Sequence, residues 1–394
     1  MFIVDNYTPT RVVFGPGRLE ELGTVKLPGS KALICVTADG LMEKLGIQDR
    51  VTALLKKNNT EYVIYDKVTP NPTKSGVEEA AALAKENGCD FTIGLGGGSS
   101  IDTAKAAAIL MCNEGDLWDY AYTGSGKKKP VEKAAPIITI STTCGTGTET
   151  DPYCVITKTE TNEKLDFAAD PIFPSISFID PELMTSLPRS LTLFQGFDAL
   201  FHAAECFVTN QHRNRLVDIY AEESVRAVSK WLPVVASDGQ NIEARTHMSY
   251  AANICSGYTQ AMINTTSHHI IAQTMGGMFP GFPHGATLIV IAEEYYKRVC
   301  GFFPEIFDEL GEMMGVERTA EEPGMGFVRG LTRLMDETGM RDLPMSRFGV
   351  TRESLHEIAD RTVNVTGIAD VDLYTITVED IEGILERSYE AHQN

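Results

Sequence analysis

The chain divides by the periodicity of its apolar positions. Up to about residue 185, short β-branched runs alternate with stretches whose apolar residues recur at helical spacing. "KALICVT" precedes "LMEKLGIQDRVTALLKK", "EYVIYD" precedes "VEEAAALAKENG", and "DFTIGLG" precedes "SIDTAKAAAILM"; "PIITIST" follows as a further buried strand. Such alternation predicts a parallel sheet covered by helices. After "FIDPELMTSLP" the strand patterns stop and helical ones run nearly to the end. Pro188 and Ser190 punctuate the start of a helix, which sets the boundary near Leu187. The expectation is an α/β domain over residues 1–186 and an all-helical domain over residues 187–394. A chain of 394 residues is long enough for two cores.

Composition narrows the partners. A formal net charge of −20 argues against a nucleic-acid backbone, which is bound by clustered Lys and Arg. No apolar run approaches the roughly 20 residues that span a bilayer. The start, "MFIVDNYTPTRVVFG", lacks the basic and apolar regions of a secretion signal. A cytoplasmic enzyme acting on a small molecule is therefore expected, with no membrane and no nucleic acid as partner. The eight cysteines scatter without C-x-x-C spacing, which predicts mostly buried, reduced thiols.

The chemistry of the first half centres on "GLGGGSSIDTAK", residues 94–105. An apolar strand ends in three glycines and passes directly into a helix. Glycines let a backbone approach an anion closely, and the helix start supplies free N–H groups and a favourable dipole. A pyrophosphate suits such a turn, although a plain strand-to-helix turn reads the same way. A second turn, "STTCGTGTE" at 141–149, again follows an apolar strand. Two such turns in one sheet suit a dinucleotide better than a monophosphate and mark the carboxyl edge of the sheet.

In the second half, "FDALFHAAEC" places Asp198 four positions before His202, on one face of a helix. From this stretch alone an ion pair is the first reading and a metal site the second. Further imidazoles arrive in "SHHIIAQTMGGMFPGFPHGATL", which carries His268, His269 and His284. One carboxylate with three imidazoles suits divalent iron or zinc.

Taken in order, "VVFGPGRLEELG", "NPT" at 71–73, "GGGSSIDTAK", "TTCGTGTE", "IDPELMTSLP", "GFDALFHAAECFVT" and "PHG" at 283–285 resemble the iron-containing (group III) alcohol dehydrogenases over nearly the whole chain. The resemblance implies the dehydroquinate synthase-like fold of that family, an N-terminal dinucleotide-binding domain followed by an all-α domain. It implies a catalytic metal, Fe2+ with Zn2+ as the alternative, held by Asp198, His202, His284 and one of the paired histidines. Register from Gly276 selects His269 and leaves His268 as a neighbour. The implied reaction is hydride transfer between NAD or NADP and a small alcohol or aldehyde, the metal acting as Lewis acid. Gly97, Gly98 and Ser99 are then expected at the pyrophosphate, with Asp102 near the cofactor at the helix start. Thr142, Thr143 and Thr146 are expected along the adenine and ribose side. A homo-oligomer, a dimer, is the expected assembly.

Several positions depart from the family pattern. Gln273 stands where relatives carry a histidine beside the metal, and a Gln in that catalytic position cannot titrate. Asp151, Pro152 and Asp166 change the expected substrate side. At the end of the first nucleotide-domain strand, Ala38 takes the place of an Asp, and the carboxylate comes one residue later at Asp39, so strict selection of NAD is not expected. Two competing readings are a metal-dependent lyase or cyclase of the dehydroquinate synthase type, which would need basic residues near the metal, and a non-enzymatic binding or assembly protein.

Overall fold

The computed structural model describes residues 2–210, 213–367 and 372–391. They fall into two compact units, Thr8–Ser186 and the chain from Leu187 onward, and the segment up to Tyr7 groups with the second.

The first unit is built on a six-stranded parallel sheet. Its strands are β1 (Arg11–Phe14), β2 (Lys31–Thr37), β3 (Glu61–Val68), β4 (Phe91–Gly96) and β5 (Ile137–Ser141), with β6 (Tyr153–Lys158) and β7 (Glu163–Ala168) forming a separate antiparallel pair and β8 (Ile176–Ile179) returning to the sheet. The order is β1-β8-β5-β4-β2-β3. Alternate residues of β2 enter opposite cores: Leu33 and Cys35 pack on one face, and Ala32, Ile34 and Val36 on the other. A strand covered on both sides reads as an unbroken apolar run, which is why "KALICVT" is legible. The helices are α1 (Leu41–Lys44), α2 (Ile47–Lys57), α3 (Lys74–Glu86) and α4 (Gly98–Cys112). The run 41–57, read from the sequence as one helix, is two, because Gly46 adopts φ +71° between them. The β6–β7 pair was not expected; no helix separates β5, β6 and β7, so the strand–helix alternation that marks the other strands is missing here.

The second unit is helical: α5 (Arg189–Thr209), α6 (Arg215–Ser237), α7 (Ile242–Ser249), α8 (Gly257–Met262), α9 (Ser267–Met278), α10 (His284–Val299), α11 (Pro304–Met313), α12 (Gly326–Thr338), α13 (Leu355–Arg361) and α14 (Val378–Ala391). From Phe197 to Thr209 every residue of α5 is buried, as expected for the central helix of a bundle. The N-terminal segment departs from the expected boundary at residue 186. Ile3 bridges to Asn214, Arg215 N–H donates to the Ile3 carbonyl at 3.1 Å, and the Asn214 amide donates to the Asp5 carbonyl at 2.9 Å. The backbone groups of this segment thus find their partners at the start of α6. Among the described residues no helix is long and apolar enough to cross a membrane. All eight cysteines are free, and only Cys112 is exposed.

Candidate active site

Asp198, His202 and Glu205 occupy positions i, i+4 and i+7 of α5, a single face of the helix, and all three are buried. The fold brings two further helices against that face. α9 starts at a cap in which Thr266 Oγ1 accepts from His268 N–H, and it presents His268 and His269. α10 starts after Pro283 with His284 and Gly285. A Cβ on Gly285 would lie 2.1 Å from the Phe194 carbonyl oxygen of α5. Only glycine permits that crossing, and Phe194 is one turn before Asp198, so the close approach delivers His284 to the carboxylate.

Among the described residues, Asp198, His269 and His284 each offer a ligand atom within 4.8 Å of the others. Asp198 Oδ1 stands 3.5 Å from His269 Nε2 and 3.8 Å from His284 Nε2. His202 lies outside that set of three. Its Nδ1 is 3.6 Å from Asp198 Oδ1, and its ring stacks on that of His269 with centroids 4.3 Å apart. Asp198 Oδ1 and His269 Nε2 are both buried without a hydrogen-bond partner. Such orphans are costly unless a cation lies between them, and a carboxylate oxygen with imidazole nitrogens is a donor set for divalent iron or zinc. Burial opposes ionisation of Asp198, but His202, His269 and His284 outweigh it and hold its carboxyl well below the usual range.

The paired histidines separate cleanly. His268 has Nδ1 2.8 Å from Glu205 Oε1 and Nε2 3.1 Å from the Leu288 carbonyl oxygen, so both ring nitrogens are engaged in helix packing. His269 donates from Nδ1 to Glu205 Oε1 at 2.7 Å and turns Nε2 to Asp198. Burial acts to lower the His269 pKa, but Glu205 and Asp198 push it up to about 9. Glu205, which gathers both paired histidines, is a residue that sequence reasoning passed over. Its signal was the D-x-x-x-H-x-x-E spacing, which extends the Asp198 face by one more turn. Gln273, one turn beyond His269, has a buried Oε1 without a hydrogen-bond partner.

In the α/β unit the chain leaves β2 for β3 on one side and returns to β4 on the other, which makes a switch point between β2 and β4. Ala38 and Asp39 follow β2, Gly97 and Gly98 follow β4, and Thr142, Thr143 and Thr146 follow β5, so these candidates share one carboxyl edge. The two Gly/Thr turns interlock: a Cβ on Gly97 would lie 2.9 Å from Thr143 Cγ2, and one on Gly98 would lie 2.8 Å from Thr146 Cγ2. The N-cap of α4 is Gly97, which has no side chain to cap the helix, and the first turn contains Ser99. Asp39 Oδ1 accepts from the Thr37 hydroxyl at 2.8 Å and from Leu41 N–H at 3.0 Å, which fixes its carboxylate at the end of β2.

Two carboxylates near this edge have internal work. Asp102 accepts from the Thr148 hydroxyl at 2.9 Å and from Val155 N–H at 3.1 Å, bracing the second turn, and burial pushes its carboxyl up to about 6. Asp151, expected on the substrate side, instead faces inward: its Oδ1 accepts from Tyr153 N–H at 2.8 Å and from Lys105 Nζ at 3.1 Å, with both charged side chains at most 2% exposed. Lys105 lies on the buried side of α4, and a lysine there requires an acid partner within the fold.

The pattern of the family described as iron-containing alcohol dehydrogenase matches residues 9–181, and that of the Fe-containing alcohol dehydrogenase family, C-terminal, matches residues 192–389. The chain is 32% identical to a choline dehydrogenase of Bacillus subtilis, over 84% of this chain and 82% of that protein. It is 31% identical to a long-chain primary alcohol dehydrogenase of Thermoanaerobacter ethanolicus, over 96% and 94%. Among solved structures it is similar to an archaeal halo-thermophilic alcohol dehydrogenase from a Red Sea brine pool, with a TM-score of 0.92, 27% identity and coverage of 98% of this chain and 99% of that one. It is also similar to an NADH-dependent butanol dehydrogenase of Thermotoga maritima, with a TM-score of 0.89, 28% identity and coverage of 98% and 99%. These matches favour a dehydrogenase over the lyase or cyclase reading. With both halves matched in order, the chain belongs to the iron-containing alcohol dehydrogenase family, oxidoreductases that interconvert alcohols and carbonyl compounds.

Proposed function

We propose that the chain is a metal-dependent, NAD(P)-linked alcohol dehydrogenase or aldehyde reductase whose divalent ion, Fe2+ or alternatively Zn2+, is held by Asp198, His202, His269 and His284. The observation that carries this reading is the buried pair Asp198 Oδ1 and His269 Nε2, 3.5 Å apart and without hydrogen-bond partners, with His284 beside them. His202 joins the set through its approach to Asp198 and its stacking on His269. A bound ion supplies Lewis-acid polarisation of the substrate oxygen, and a bound nicotinamide supplies or accepts the hydride. The chain's own residues supply position and charge. Asp198 contributes the negative charge of the centre, and His284, with a side chain 26% exposed, marks its open side. The Gln273 amide can orient a hydroxyl or water but cannot carry a proton away.

For the cofactor, the carboxyl edge supports NAD or NADP, with the phosphates at Gly97, Gly98 and Ser99, a ribose near Ala38 and Asp39, and Thr142, Thr143 and Thr146 along the other side. Asp102 serves that groove by bracing its turn. A small alcohol or its aldehyde is the substrate class; the butanol dehydrogenase among the similar proteins supports it, and the long-chain primary alcohol dehydrogenase sets longer alcohols as the comparison to run beside it. The test is metal analysis together with NADH and NADPH oxidation on a panel of short aldehydes. One ion per chain and turnover that is lost on chelation and restored by Fe2+ or Zn2+ are expected. Aldehyde reduction that persists at full rate in the ion-free chain overturns the reading.

A further inference from the structure

We propose that Glu205 is the positioning residue of the metal centre, fixing the ring of His269 and aligning the three helices that carry the ligands. This role rests on the metal-site reading. Glu205 is fully buried, and its carboxylate collects five donor contacts from the surrounding helices. Oε1 lies 2.7 Å from His269 Nδ1, 2.8 Å from His268 Nδ1 and 3.4 Å from the Tyr296 hydroxyl. Oε2 accepts from Thr266 N–H and from the Thr266 hydroxyl, both at 2.9 Å.

Three consequences follow from that arrangement. First, a proton held on His269 Nδ1 by a buried carboxylate leaves Nε2 as the nitrogen for a ligand, and a ring flip would break a charge-assisted bond. A carboxylate behind a ligating imidazole also raises its basicity. Second, the bonds to Thr266 hold the first residues of α9 against α5, which fixes where His269 starts. Third, His268 extends the same anchor to α10, because its Nε2 reaches the Leu288 carbonyl oxygen at 3.1 Å, one turn beyond His284. One carboxylate on α5 thus registers both partner helices on the face that carries Asp198 and His202. Packing alone would not need this. Apolar side chains could hold three helices together, but not the orientation of one imidazole.

The test is zinc affinity of the chelator-stripped full chain, measured by competition with a chromogenic chelator, for wild type and Glu205→Gln. The amide matches the carboxylate in shape and keeps one acceptor oxygen, but it lacks the charge and turns a donor toward another donor. Zinc binding about ten- to a hundredfold weaker, in a variant whose circular dichroism matches wild type, is the expected result. A readout that needs no variant is the long-range 1H–15N spectrum of zinc-loaded wild type. A ring that is coordinated through Nε2, with a slowly exchanging Nδ1 proton, is expected for His269. Unchanged affinity in Glu205→Gln, or coordination of His269 through Nδ1, overturns the role of Glu205 while leaving the metal site standing. If Glu205→Gln does not fold, the wild-type spectrum decides by itself. A wild type that takes up neither zinc nor Fe2+ overturns the metal-site reading, and this role with it.

Discussion

Metal uptake by this site is expected to expel a proton from His269. The imidazole is buried between Glu205 and Asp198, and despite the burial their charges push its pKa up to about 9 in the metal-free protein. A ligand must present a bare Nε2, so below that pH the ion competes with a proton. Each pH unit below 9 then costs one tenfold step in apparent affinity. Between pH 6.5 and 9 the change is about 160-fold, or about 3 kcal/mol, because at pH 9 half of the imidazoles still hold the proton. The same shift sets the stability of the metal-free protein. The folded pKa lies above the unfolded value near 6.5, so the contribution is fully present below about pH 6.5 and is lost as the pH rises through about 9. Raising the pH across this window should therefore weaken the empty fold while strengthening its grip on the ion. The assay is zinc titration of chelator-stripped protein against a competitor of known affinity, corrected for the competitor's own protonation. Zinc affinity constant within about threefold over that range would show that His269 carries no displaceable proton and that the two carboxylates do not act on it as argued.

Four further outcomes are expected. His269→Ala should lose bound metal, whereas His268→Ala should keep it at the cost of a lower melting temperature; metal analysis and thermal denaturation of the two variants check this. Gly285→Ala forces a Cβ to within 2.1 Å of the Phe194 carbonyl oxygen, so α10 must move away from α5. A loss of about 1–3 kcal/mol in urea unfolding is expected, together with weaker zinc binding. Lys105→Met strands the buried Asp151 carboxylate and should destabilise the α/β unit by about 3–5 kcal/mol, read by denaturation of the unit's own signals, with the metal content unchanged. For the nucleotide, the ratio of kcat/KM for NADH over NADPH is expected to stay below about a hundredfold, roughly 2.7 kcal/mol; a larger ratio would show that Asp39 reaches the ribose despite its bonds to Thr37 and Leu41.

The sheet was legible because its central strands are covered on both faces, and the helical half because its apolar positions keep a period near 3.6. What escaped did so for local reasons. Gly46 broke one helix into two through a backbone angle that side-chain patterning does not carry. β6 and β7 form their own antiparallel pair outside the main sheet with no helix between them, so they lack the helical spacers that announce the other strands. Asp198 and His269 were named from motif order, whereas Glu205, one turn beyond His202 on the same helix face, was passed over. A buried glutamate in an apolar helix reads as an anomaly until the groups facing it from α9 and α10 are known. Asp151 was misjudged for the mirror-image reason: its partner Lys105 sits 46 residues earlier, in a helix that otherwise reads as apolar and small.

The grouping of the first residues with the helical unit has a bearing on synthesis. Ile3 is synthesised before the α/β unit, yet its partners Asn214 and Arg215 emerge only after that whole unit. At roughly 5–20 residues per second that wait is on the order of 10–40 s. During it Phe2, Ile3 and Val4, more than half exposed even in the finished fold, wait without the partners that Ile3 meets there. An apolar segment that waits for its partners is an invitation to neighbouring nascent chains, so the yield of native protein should depend on chaperone cover of residues 2–7 until Asn214 and Arg215 have emerged. Slowing elongation between the codons for Ser186 and Asn214 should raise the aggregated fraction more than the same delay placed after α10.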